Sequence, residues 1–248
     1  MKGVKEVKSV TFRVVAALAT TVAMLSSEGR AQQSTATNTL TAEERAAGWR
    51  LLFDGKTIDH WRGYQQKAVP RGWQVIDGAI TRVGGSTDLV SVEEYDSFDF
   101  RFDWMVESGG NSGVMYHVLE TEESTYHTGP EYQVLDNARH SDGQSPFTSA
   151  GACHSLYAPP KDVSRPANNW NESRIVIDGP KVEHWLNGVK VAAYELWSAE
   201  WNAKVAASKF NEWKKFGLAK RGRIALQQHD SRVSYRNLKI KISGAPGL

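Results

Sequence analysis

The clearest periodicity along this chain has a period of two. In FDFRFDWMV, Phe98, Phe100, Phe102, Trp104 and Val106 fall on one side, and Asp99, Arg101, Asp103 and Met105 on the other. Such alternation is the pattern of a strand with one face against a core. Shorter runs with strand character follow in GVMYHVL, EYQVLD, ESRIVID, KVEHWLNGVKVAAYEL, RIALQQH and VSYRNLKIKI. Asp77-Gly78 and Asn187-Gly188 interrupt two such runs with the residue pairs that favour two-residue hairpin turns. One segment, SAEWNAKVAASKFNEWKKFG, changes period: Trp201, Val205, Lys209/Phe210 and Trp213 recur at helical spacing. Ahead of the strands, Thr41 followed by Glu44 reads as a capping box for a short helix. Many short strands with turn signals and one helical insertion near 199–215 predict an all-β jelly-roll sandwich of two antiparallel sheets.

The N-terminal end follows other rules. Lys2, Lys5, Lys8 and Arg13 precede an apolar run, Val14 to Leu25, and Gly29-Arg30-Ala31 supplies small residues around a cut after Ala31. Residues 1–31 therefore read as a secretory signal peptide, with a retained anchor as the weaker alternative. The apolar run is short for a membrane span. Residues 32–39 are polar and read as a disordered linker, which leaves 40–248 for the folded domain. The expected location is periplasmic or extracellular.

Removing the leader changes the charge. The whole chain carries 30 Lys/Arg and 28 Asp/Glu, a net of +2. Five of the bases and two of the acids lie in 1–31, so the remainder has 25 and 26, a net of −1. No basic stripe is left to point to nucleic acid. No phosphate-binding loop or CxxC pair occurs, so no organic cofactor is expected. Cys153 is the only cysteine; it reads as a small buried hydrophobe rather than a nucleophile. Trp49, Trp61, Trp104 and Trp185 read as core.

Candidate chemistry centres on TGPEYQVLDN. As a strand it shows Glu131, Gln133 and Leu135 on one face and Tyr132, Val134 and Asp136 on the other. A carboxylate beside an amide suits a sugar-binding groove, and it also suits a wet edge strand. In RIALQQHD, Gln227 and His229 share a face and can line the same groove. His229 stands open between base, metal ligand, sugar contact and surface histidine. Asn111 in GNSGVMYH either touches substrate or shapes a turn. His140 and Asp142 in RHSDGQ can cap the site, bind a cation or simply be solvated.

Seven segments in order carry a resemblance: LLFDGK, GNSGVMYHV, TGPEYQVLDN, GACHSLYAPPKD, NNWNESRIVIDG with VEHWLNGVKVAAYEL, SKF through KRGRIALQQH, and VSYRNLKIKI. Together they resemble the 3-keto-disaccharide hydrolase domain family over roughly Leu40 to Ile242. The resemblance implies a concanavalin A-like jelly roll and cleavage of glycosides already oxidised at C3 of the sugar. Related laminarinase-like enzymes place two acids two apart on one strand. Here those positions are Glu131 and Gln133, and Gln133 cannot ionise. A ketone at C3 relaxes that requirement, because it acidifies the C2 hydrogen. One base and one polarising group then suffice for elimination at C1, and addition of water completes the hydrolysis.

On this reading Glu131, His229 and His154 are the catalytic candidates, and Asn111, Gln133, Gln227, His117 and Asp136 the substrate-binding ones. His117, His154, Ser155, Gln228 and Asp230 depart from the family pattern. A divalent cation held by donors among Glu131, His117, His154, Asp136 and His229 is left open, since no metal motif is present. Two rivals remain: a non-catalytic carbohydrate-binding module, and a conventional glycoside hydrolase whose second carboxylate is Asp103 or Asp136.

Overall fold

Thirteen strands and two short α-helices follow the polar N-terminal region in the computed structural model, which describes residues 1–3 and 36–243. Apart from positions 1–3, the leader expected over 1–31 lies outside the described residues; the fold below belongs to the unit Thr35–Leu248. The first helix, α1, is Ala42–Ala46. The strands in chain order are β1 (Arg50–Leu51), β2 (Trp61–Gly63), β3 (Trp73–Ile76), β4 (Ala79–Arg82), β5 (Leu89–Ser91), β6 (Phe98–Val106) and β7 (Asn111–Val118). They continue as β8 (Glu131–Leu135), β9 (Asn171–Asp178), β10 (Lys181–Leu186), β11 (Val189–Glu195), β12 (Arg223–Leu226) and β13 (Val233–Ile242), with α2 (Ala199–Ala206) between β11 and β12.

Two sheets form, and every strand pairing is antiparallel. The larger runs β11-β10-β9-β6-β13-β4-β3, with β1 beside the far half of β13. The smaller runs β2-β5-β12-β7-β8. This is the expected jelly-roll sandwich. Phe98, Phe100, Phe102, Trp104 and Val106 of β6 are all buried, and they meet Val114 and Tyr116 of β7 and Tyr132 and Val134 of β8 in one core. Both hairpin turns form as read: Asp77 and Gly78, then Asn187 and Gly188, all take positive φ, the backbone of a type I′ turn.

Three local readings need correction. The linker expected over 32–39 is tied down at its described end. Asn38 is buried, its amide N–H donates to Asn237 Oδ1 at 2.6 Å, and its Oδ1 accepts the Asn237 N–H at 2.8 Å. The helical period of 198–217 does not give one helix. α2 stops at Ala206, and a separate 3-10 turn, Lys209–Glu212, begins under a Ser208 cap. Trp185 is only half-buried and lies between Arg174 and Lys190, whose charges sit 5.7 and 5.6 Å from its ring.

Candidate active site

Strand pairing decides which side chains share a face. Residues directly opposite in a ladder point to the same side. Gly113 of β7 faces Gln133 of β8, and Met115 faces Glu131. Ala225 of β12 faces Met115 and also Val90 of β5. The outer face of the smaller sheet therefore carries Asp88 and Val90, then Gln227 and Ala225, then Asn111, Gly113 and Met115, then Gln133 and Glu131. Its inner face carries the core.

Glu131 is 8 % exposed, and no hydrogen bond to its carboxylate is formed among the described residues. The carboxylate lies over Gly113: a Cβ there would sit 2.7 Å from Glu131 Cδ and closer still to Oε1. Gly113 is thus required by close approach, not by backbone twist. Burial pushes the Glu131 pKa up to about 8; Lys209 opposes the rise, while Asp88 and Asp142 add to it.

Beside it runs a chain of neutral groups. Gln133 donates from Nε2 to Asn111 Oδ1 at 2.8 Å, and its Oε1 lies 2.6 Å from His154 Nδ1. Because Oε1 can only accept, His154 carries its proton on Nδ1. Its Nε2 then accepts from the Lys209 ammonium at 2.9 Å. Burial, then Lys209, brings the His154 pKa down to about 4, so the ring is neutral at pH 7. His154 reaches this place because residues 151–154 lie along the free edge of β8. Gly151 N–H donates to Gln133 O, Gln133 N–H to Ala152 O, and His154 N–H to Glu131 O.

At the other end of the row, Asn111 Nδ2 lies 3.4 Å from His140 Nε2, and the His140 and His229 rings meet edge to face at 6.3 Å. His229 is exposed, past the end of β12. Gln227 is half-buried and held through its backbone: its N–H donates to Gly113 O at 2.9 Å, and its carbonyl accepts from Ser112 Oγ at 2.7 Å.

The structure gathers Glu131, Gln133, Asn111, Gln227, His154 and His229 around this face. Two expected residues have other duties. A β-bulge opposite Arg223–Ala225 breaks the alternation of β7; His117 takes φ +54°, is buried, and donates from Nε2 to Asp96 O at 2.7 Å. Asp136 accepts from Gly109 N–H at 2.8 Å with one oxygen and from Ala138 N–H at 3.2 Å with the other, so it organises turns. Asp103, the other acid considered for a conventional pair, lies in the larger sheet and binds Arg236 and Asn237.

The reading of residues missed Lys209 and Asp88. Lys209 was assigned to a helical stripe. Asp88 precedes a short strand and gave no signal; its oxygens accept from Gln228 N–H and Thr125 Oγ1. Among the described residues, no three His, Cys, Asp or Glu side chains are gathered to hold a metal ion. His154 has both nitrogens engaged, one by Gln133 and one by Lys209.

The molecule is a jelly-roll sandwich whose smaller sheet presents a buried carboxyl, Glu131, and a row of amides on its outer face. The chain matches the model of the 3-keto-alpha-glucoside-1,2-lyase-like domain over residues 48–241, and it belongs to that family. It is 32 % identical over 231 residues to a 3-keto-disaccharide hydrolase of Bacteroides thetaiotaomicron, covering 79 % of each chain. A crystal structure of a protein provisionally named a glycosyl hydrolase, from Parabacteroides distasonis, superposes with a TM-score of 0.80 at 34 % identity, over 84 % of this chain and all of that one. A second such protein from the same organism shares the fold, with a TM-score of 0.63 at 24 % identity, over 79 % of this chain and 99 % of its own.

Proposed function

We propose that this protein is a carbohydrate-cleaving enzyme that acts, after export, on glycosides whose sugar carries a ketone at C3. The observation that carries the reading is Glu131: a buried carboxyl that no group among the described residues hydrogen-bonds, with a lysine ammonium nearby. A carboxylate whose pKa is pushed to about 8 is a stronger base than one in water. It removes the C2 hydrogen, which the C3 ketone has made acidic. Negative charge then develops on the ketone oxygen, and Lys209 stabilises it. The C1–O bond breaks as the electron pair from C2 forms a C1=C2 double bond, and the departing oxygen takes a proton from water. Water adds across that bond, its oxygen at C1 and a proton at C2, for a net hydrolysis. His154, bonded to Gln133 and Lys209, holds the cation in place. Asn111, Gln133 and Gln227 offer amide groups to the sugar hydroxyls. Family membership and the named relative support the substrate class; the missing second carboxylate on β8 supports the route.

The test is turnover of a 3-keto glucoside beside its unoxidised parent, with and without chelator. Cleavage of the keto sugar alone is expected. Glu131→Gln is expected to lower kcat by about 10³-fold with the fold intact, within the usual range for loss of a general base. Equal cleavage of both sugars, or full activity in Glu131→Gln, overturns the assignment.

A further inference from the structure

The 3-10 turn that delivers Lys209 also lines a second feature. A surface cavity of about 380 Å³ is bounded by Phe147, Ser155, Leu156, Lys204, Ser208 and Lys209. It adjoins the catalytic row at two points, through Lys209 and through Ser155, the residue after His154. Its floor is apolar: Leu156 is buried. Phe147 is 46 % exposed, a large aromatic left uncovered at the rim. Its backbone is fixed: its carbonyl accepts from Ser155 N–H at 2.8 Å and its N–H donates to Ser145 Oγ at 3.3 Å. Lys204 is held over the Tyr157 ring at 4.8 Å.

An exposed ring on a fixed backbone, an aliphatic floor and two ammonium groups make a particular combination. The ring and floor take a flat apolar face. The cations favour a partner bearing negative charge on oxygen. We propose that this cavity is the leaving-group subsite and that it takes a phenolic aglycone. The chemistry of departure agrees. A phenolate is a weak base, so it leaves C1 with the C–O electron pair without prior protonation, and the proton removed from C2 stays on Glu131. For its place in the reaction the inference rests on the function proposed above; for the binding it does not.

The experiment is therefore binding first. 4-Nitrophenol is titrated into the Glu131→Gln protein and into the same protein carrying Phe147→Ala or Lys204→Met, by equilibrium dialysis at pH 8. Saturable binding is expected, weakened about tenfold by Phe147→Ala and several-fold by Lys204→Met, while glucose binding stays unchanged. Turnover is then compared in the protein with Glu131 intact. Phe147→Ala is expected to lower kcat/KM about tenfold for a 3-keto aryl glucoside and to leave that for a methyl 3-keto glucoside, whose aglycone is too small to reach the ring, unchanged. No saturable nitrophenol binding, binding indifferent to Phe147, or an equal loss on both substrates overturns the proposal. Phe147-dependent binding in a protein that cleaves no 3-keto glycoside keeps the cavity as a phenol site and overturns the reaction instead.

Discussion

Glu120 and Glu131 sit on either side of the connection from β7 to β8, and both are substantially removed from water. They end in opposite states. Burial alone would push Glu120 up, but Arg62, the Gln65 N–H and Arg223 outweigh it and hold its carboxyl at about 2. Arg62 binds it through both guanidinium nitrogens, and Arg223 Nε lies 2.8 Å from Oε2. Glu131 has no such donors, and its pKa rises to about 8. Depth is part of the difference, since Glu120 is half-buried and Glu131 buried. The rest is whether the surroundings supply hydrogen bonds to the charge. Glu120 is fixed as an anion and bolts the sheet edge. Glu131 is left able to take up and release a proton near neutral pH.

The largest way to break the contrast is Gly113→Ala. The new Cβ would occupy the space of the Glu131 carboxylate, and its neighbours there are flexible only by moving the base. Gly113 lies in an ordinary extended strand, so the backbone tolerates alanine. We expect kcat to fall by about 10²-fold, since displacement of a catalytic group by an ångström costs that order. The far-ultraviolet circular dichroism spectrum should stay unchanged. Wild-type turnover in Gly113→Ala would show that the carboxylate need not lie where it does.

Lys209→Met comes next. Lys209 is the group that lowers the Glu131 pKa, so its loss raises that pKa further. The acid limb of the kcat/KM profile, expected near about pH 8 in the wild type, should move to higher pH. Activity at pH 7 should fall by about 10- to 10²-fold through the combined loss of polarisation and ionised base. An unmoved limb would separate Lys209 from Glu131.

How much of this could be read from residues depends on what each signal encodes. The sandwich was legible because alternation is direct: Phe98 to Val106 declare a buried face residue by residue. The shared face of Glu131 and Gln133 was legible for the same reason. Lys209 was not, because Trp201, Val205 and Phe210 keep helical spacing across Ser208. The side-chain cap that breaks the helix there looks like any other serine. His117 was misplaced because one bulge shifts the strand's alternation, and nothing in GVMYHVL marks it. Asp136 was misplaced because its oxygens serve backbone N–H groups that appear only once the turns around it have formed. Gly113 was legible as a glycine, but its reason, the carboxylate of another strand, is a long-range fact.

Stability carries a quieter version of the contrast. A folded pKa raised above the unfolded value means that the folded protein binds the extra proton. Glu131 therefore costs stability progressively as pH rises from about 4.5 to about 8. Replacing it by glutamine should leave the melting temperature near the wild-type value at pH 4 and raise it at pH 9, with a ceiling of about 5 kcal/mol in stability.

Glu120 has the reverse sign. Its depressed pKa contributes stability that is present above about 4.5 and lost as pH falls towards about 2. Glu120→Gln should therefore be less stable than the wild type at pH 7, and the gap should close in acid. The group is partly in contact with water, so screening reduces the effect to about 1–2 kcal/mol. Because Glu120 does not join the Glu131 row, kcat should be unchanged. Chemical denaturation at pH 7 and at pH 3, with turnover measured beside it, reads both halves. A large loss of activity in Glu120→Gln at full stability would mean that the two carboxylates act on one site, and the division between a structural anion and a working base would fall.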